Sequence, residues 1–218
     1  MPSAQGLSVL AVLVWNLLVY QGTILLTRSR TAMDMTTCLD RMIPVAPVWV
    51  VIYLGTFAFW VVNYVLLARR EGWFQVMAGE VTVKLLCGIC FLAIPTTNIR
   101  PELTGSDVFS WVLGAVYWID PPADLFPSIH CMDSWICALA LLPHRDLPKW
   151  YRGLAVVLAL LICASTLFTY QHVLADVAAG LLLGTLAIPL GKKLPLAGKL
   201  EKWFTALDRR LLGNAKER

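Results

Sequence analysis

Six apolar stretches, most of them of bilayer-crossing length, each separated from the next by a polar segment, set the pattern of this chain. They run from Gly6 to Thr27, Val45 to Ala68, Trp73 to about Ile94, Ser128 to Leu142, Gly153 to about Phe168, and about His172 to Leu190. A membrane helix needs about 20 predominantly apolar residues, so the pattern predicts six spans. Pro44 and Pro47 lead into the second, and the charged turn Arg69-Arg70-Glu71 separates it from the third. No basic region precedes the first stretch and no small-residue cleavage site follows it, which predicts a retained span.

Two segments depart from this pattern. Pro95 to Phe126 is the longest non-spanning stretch, and within it Ser106 to Asp120 is too short to span and rich in Trp and Tyr. That combination predicts a helix lying in the membrane interface. The tail, Lys192 to Arg218, is strongly basic. Its Leu200, Trp203, Phe204, Leu207 and Leu211 share a helical face opposite Lys199, Lys202, Arg209 and Arg210. This is the pattern of an amphipathic helix on an anionic membrane surface. The fold expected is therefore an all-α integral membrane protein, a six-transmembrane-helix bundle with an interfacial helix before the fourth span. Residues 1–191 form the membrane domain and residues 192–218 the amphipathic tail.

Composition agrees with this reading. The chain is 58% hydrophobic and 15% charged, against about 25% charged in an ordinary soluble domain. Its net charge of +4 is modest and clustered, which suits charge-set topology and not nucleic-acid binding. With six spans, Arg69, Arg70, Arg145, Lys149, Arg152 and the basic tail share one side, while Arg28, Arg30, Arg41 and Arg100 share the other. The positive-inside rule then puts both termini in the cytoplasm, although Arg28 and Arg30 alone would pull the first span the other way. Cys87 and Cys90 form a C-x-x-C inside a hydrophobic helix with no second ligand pair, and read as small buried thiols.

Charged groups inside apolar spans are costly, by roughly 2.5–3.5 kcal/mol at the centre of a helix, so each needs compensation. Glu80 and Lys84 lie four residues apart and read as an internal ion pair. His172 and Asp176 have the same spacing, and here a carboxylate can hold one ring nitrogen and leave the other free to react. The alternative for this second pair is polar glue between helices.

Three polar clusters fall on one face in this topology. They are Thr96 to Glu102, Phe126 to His130, and Thr169 to His172 with Asp176. Together they can perform phosphoryl transfer. Arg100 offers a planar fork of donors. Ser128, following Pro127, offers a hydroxyl and a helix N-terminus. His172 can attack phosphorus while Asp176 fixes its tautomer, and His130 can protonate the departing oxygen and then activate water. Taken singly, Ser128 can be only an N-cap, Arg100 an interfacial anchor and His130 a satisfied interfacial histidine. His144 lies on the opposite side in a charged loop and reads as solvated.

The order Arg-Pro, then Pro-Ser-x-His, then His-x-x-x-Asp resembles the type 2 phosphatidic acid phosphatase superfamily. This superfamily includes lipid phosphatases, undecaprenyl pyrophosphate phosphatases and lipid head-group transferases. The resemblance covers roughly Pro95 to Gly180 in motifs and all six spans in architecture. It implies a nucleophilic His172 paired with Asp176, a proton donor at His130, and phosphate binding by Arg100 and Ser128. Three positions depart from the motifs: Ala93 stands where a lysine is expected, Ile129 for a glycine, and Thr166 for an arginine. Lys84 is sixteen residues before Arg100, about 24 Å along a helix, and does not replace that lysine. Arg100 is then expected to be the only cation near the motifs.

The function expected is a bacterial-type membrane lipid-phosphate phosphatase working through a phosphohistidine on the extracytoplasmic face of the plasma membrane. The alternatives are a head-group phosphotransferase of the sphingomyelin or inositol-phosphorylceramide synthase type, and a catalytically silent lipid-phosphate binder. The expected partners are a lipid phosphate or lipid pyrophosphate and the surrounding membrane lipids. No metal or other cofactor is expected, since no three or four ligands sit at metal spacing and a P–N bond-forming histidine needs none.

Overall fold

The computed structural model describes residues 3–213, with side chains from residue 4 to residue 210. It contains α1 (Ser3–Thr27), β1 (Met33–Asp34), α2 (Val50–Ala68), α3 (Trp73–Ala93), β2 (Thr96–Thr97), α4 (Val108–Ile119), α5 (Ile129–Leu141), α6 (Lys149–Phe168), α7 (Leu174–Lys193) and α8 (Leu196–Gly213). Five of these helices are long and apolar enough to cross a membrane: α1, α2 with the 3-10 turn before it, α3, α6 and α7. The chain is an integral membrane protein by this measure. The fourth expected span, α5, has 13 residues and falls short of that length.

Even so, α5 runs between the same two ends as its neighbours. At one end Ser128 donates its backbone N–H to the Asp176 carbonyl at the start of α7 (3.1 Å). Beyond the other end of α5, Asp146 pairs with Arg70 at the end of α2 (3.0 Å). The short connections after α2, α5 and α6 reverse the chain, and the Trp73 indole N–H donating to Ser8 (2.7 Å) joins the starts of α3 and α1, so the six helices alternate in direction. The packing is densest where α7 meets α3 and α5. Gly180 and Gly184, one helical turn apart, make that approach possible. A Cβ at Gly180 would lie 2.6 Å from the Ser128 carbonyl oxygen, and one at Gly184 would lie 2.9 Å from that of Met132. Small residues at this spacing let membrane helices bring their backbones together.

The internal charges are resolved in a way the sequence shows only in part. Lys84 is fully buried and lies 3.6 Å from Glu80, as its spacing predicts, but its shorter contact is to Asp133 of α5 (2.5 Å). Asn16 of α1 also donates to that Asp133 oxygen (2.8 Å). Among the described residues, neither oxygen of Glu80 has a hydrogen-bond partner. Asp133 is the third member that the sequence pattern passes over.

The tail helix α8 packs on α3 and α1. Its Phe204 is buried against Phe74, with ring centroids 6.1 Å apart, while Trp203 is exposed. Leu211 of the apolar face expected for the tail, and residues 214–218 of its end, lie outside the residues so described. In α4, Trp111 and Trp118 are exposed and Leu113 is buried against the bundle.

Candidate active site

At the Ser128 end of the bundle, the loops are tied together before any site residue is placed. The short parallel pair joins Met33–Asp34 to Thr96–Thr97. The Thr96 hydroxyl accepts the backbone N–H groups of Leu125 and Phe126, both at 2.9 Å. Asn98 donates to the Tyr170 carbonyl (2.9 Å). These bonds bring the three polar clusters of the sequence to one place.

His172 is positioned by the ends of two helices. At the end of α6, Tyr170 takes a left-handed conformation, with φ of 50°. Its N–H bonds the Leu167 carbonyl and the Gln171 N–H bonds the Thr166 carbonyl, the pairing of a Schellman C-cap. Glycine usually fills that position, and a non-glycine residue there costs about 1 kcal/mol or more. The Tyr170 hydroxyl, donating to the Ile43 carbonyl at 2.6 Å, helps hold it. The chain then turns directly into α7, whose first N–H, from Leu174, is accepted by Asp40 (2.7 Å). Burial pushes the Asp40 pKa up, but its hydrogen bonds from Thr37 and Leu174 outweigh that and hold the carboxyl below its ordinary value.

Helix α7 starts two residues after His172, so His172 and Asp176 do not share a helical face as their spacing suggests. They meet all the same. Asp176, in the first turn of α7, reaches back to accept the Val173 N–H (2.9 Å), as residues at this position commonly do. The same oxygen lies 3.3 Å from Nδ1 of His172. A carboxylate only accepts, so Nδ1 carries the proton and Nε2 is left with its lone pair. Burial lowers the His172 pKa, but the hydrogen bond and charge of Asp176 outweigh it and leave the pKa raised. Asp176→Asn is therefore expected to slow turnover about 10²- to 10⁴-fold. It should also move the acidic limb of kcat/KM to lower pH, since the neutral amide no longer favours the imidazolium. Wild-type turnover with an unmoved limb would contradict this role.

His130 faces His172 with ring centroids 5.7 Å apart. It sits among Tyr53, Phe57 and Trp60, three aromatic rings on one face of α2, at 4.9, 6.1 and 5.5 Å. Ser128 is fully buried and caps α5, accepting the Cys131 N–H at 3.3 Å. This is the N-cap contact that the sequence allows for it.

Arg100 reaches the site through Gln171, the residue before His172, and is partly occupied. It donates to the carbonyls of Tyr117 (3.3 Å) and Asp120 (2.6 Å) and to Oε1 of Gln171 (2.7 Å), and it stacks 4.5 Å above the Tyr117 ring. Its Nε is buried without a partner. Burial lowers its pKa, from a value so high that it remains charged. Asp120 in turn accepts from Tyr20 of α1 (2.7 Å) and Tyr53 of α2 (3.4 Å), which fixes the Arg100 loop to the bundle.

Arg100 is not the only cation near the motifs. Arg30, in the loop after α1, donates to the carbonyls of Leu92 and Ala93 at the end of α3. The β1–β2 pairing carries it there from a distant part of the sequence. Lys84 stays in the bundle interior, as expected. His144 lies at the opposite end, 4.0 Å from Asp146.

Both histidines line a cavity of about 510 Å³ between α1, α2, α4 and α5. Its walls are largely apolar, from Leu13, Leu17, Leu54, Phe57 and Ile119, while Asn16, Gln21, Asp120, Asp124 and Gln171 add polar groups. Among the described residues, no three His, Cys, Asp or Glu side chains are grouped to hold a metal ion. Residues 96–195 match the family model of the PAP2 superfamily. Neither the curated proteins nor the solved structures give a match to the chain.

Proposed function

We propose that this chain, which belongs to the PAP2 superfamily, is a membrane lipid-phosphate phosphatase acting through a phosphohistidine. Members of the superfamily are phosphatases or phosphotransferases acting on phosphate esters. The observation that carries the reading is the pair of facing histidines lining a largely apolar cavity, one of them held by a buried aspartate. In the first step Nε2 of His172 forms a P–N bond as the P–O bond to the lipid breaks, and His130 gives its proton to the departing oxygen. In the second, His130 takes a proton from water, whose oxygen attacks phosphorus and releases His172. The aromatic rings around His130 keep bulk water away from its proton. The six-span topology, with both termini cytoplasmic and the site extracytoplasmic, rests on the alternating helices and the side bearing the basic tail. The division at residue 191 and a membrane-surface role for α8 rest on its exposed Trp203 and its basic face.

A head-group phosphotransferase is the second reading. Asn16, Gln21, Asp120 and Asp124 give the cavity acceptors that suit an alcohol. Detergent-solubilised protein supplied with a panel of lipid phosphates, with and without polyol acceptors, separates the readings. Phosphate release supports the phosphatase, and a new phosphodiester supports the transferase. Neither product would mean a silent lipid-phosphate binder.

Arg100 has an expected signature within this function. Its guanidinium joins Tyr117, Asp120 and Gln171 through bonds that an ammonium does not reproduce. Arg100→Lys should therefore fail nearly as badly as Arg100→Ala, each losing roughly 2–4 kcal/mol of transition-state stabilisation, or about 30- to 1000-fold in kcat/KM. Retention of more than about a third of wild-type kcat/KM in Arg100→Ala would contradict a phosphate-binding role.

A further inference from the structure

Gln171 is buried, lines the cavity beside His172, and is unaccounted for by the motifs. Its Oε1 accepts from Arg100 at 2.7 Å. A guanidinium has only donors, so the amide oxygen must face Arg100 and the amide nitrogen must face away. That fixes the side chain without reference to how its two ends are drawn. Nε2 is then a buried donor, and among the described residues no group accepts from it. A buried amide left unpaired costs roughly 1–3 kcal/mol, a cost that persists only where something compensates it. The neighbouring Nε of Arg100 is also buried and unpartnered. The residue before the proposed nucleophile thus carries one unsatisfied donor, and Arg100, bonded to the other end of its amide, carries a second.

We infer that Gln171 is a substrate-contact residue whose Nε2–H donates to a non-bridging oxygen of the substrate phosphate, alongside the Nε–H of Arg100. This rests on the proposed phosphatase function and deepens it. Thr166 leaves the motif region one cation short, and Arg30 uses donors on backbone carbonyls at the end of α3. A neutral donor aimed by a cation supplies hydrogen bonding to the phosphate without a second buried charge. The backbone contributes to the placement, because the Gln171 and His172 N–H groups share the Thr166 carbonyl, at 2.9 and 3.1 Å. Donor and nucleophile are therefore carried on one rigid turn.

Gln171→Glu, made alone and in an Arg100→Ala background, separates contact with substrate from action through Arg100, because only a direct contact gives a further loss when Arg100 is absent. A glutamate keeps the acceptor for Arg100 but loses the donor and turns a negative oxygen on the phosphate. If Gln171 contacts phosphate, Gln171→Glu should lose about 100-fold or more in kcat/KM on a short-chain phosphatidic acid in detergent micelles. The inhibition constant of orthovanadate should rise by a similar factor. Gln171→Met, which keeps the length and removes both polar ends, should lose about 10- to 100-fold and gives the reading if the glutamate does not fold. Folding of each variant is checked by its elution profile and melting temperature. Near-wild-type kcat/KM and vanadate inhibition in a folded variant would overturn the inference while leaving the phosphatase intact. Absence of phosphate release from the wild type would overturn the proposed function and the inference with it.

Discussion

Replacing His172 by alanine should remove turnover by about 10⁴-fold or more, the scale on which nucleophile knockouts act in enzymes whose catalytic residues work as a unit. No other histidine at this end of the bundle has a carboxylate partner, so no side chain takes over the attack. His130→Ala should be nearly as inactive on ordinary lipid phosphates, because the departing oxygen then leaves without a proton. Its defect should shrink with an activated phosphate ester, whose leaving group needs no acid, whereas that of His172→Ala should not. The comparison is made by steady-state kinetics on one activated and one unactivated substrate. Equal losses on both substrates for the two variants would deny His130 its separate role. The 5.7 Å between the ring centroids makes the division of labour geometrically feasible, since both rings can reach one phosphate.

The second large effect is on stability. Lys84→Met should destabilise the protein by about 3–5 kcal/mol, because it leaves the carboxylates of Asp133 and Glu80 buried with no countercharge. Unfolding in detergent, followed by circular dichroism, measures it. Adding Asp133→Asn and Glu80→Gln should recover most of the loss, since the cost lies in the unpaired charges and not in the missing ammonium. A Lys84→Met protein within about 1 kcal/mol of wild type would mean that the interior tolerates these carboxylates by some other means.

Much of this was legible in the sequence. The apolar stretches give the helices of the bundle closely, and the Ser106 to Asp120 segment contains α4. The candidate residues His130, His172 and Asp176 come together, with Arg100 joined to them through Gln171, because each sits at a helix end or in a loop at the same end of alternating helices. What stayed hidden is tertiary. Asp133 sits in an apolar helix three residues after His130, and nothing local says that it answers Lys84 of α3. Arg30 reaches the end of α3 only through a two-residue strand pair that leaves no hydrophobic signature. Gln171 next to His172 looks like any loop glutamine until burial and the Arg100 contact orient its amide. The His172–Asp176 spacing led to the right contact by the wrong geometry, because Asp176 reaches back across the start of α7.

The central claim is that His172 becomes covalently phosphorylated. It is tested most directly by quenching the detergent-solubilised protein during turnover of a ³²P-labelled lipid phosphate and mapping the label by mass spectrometry. Wild type should carry acid-labile, alkali-stable phosphate on His172, and Asp176→Asn should carry less. His172→Ala should carry none. Label on His130, or acid-labile label persisting in His172→Ala, would contradict the account.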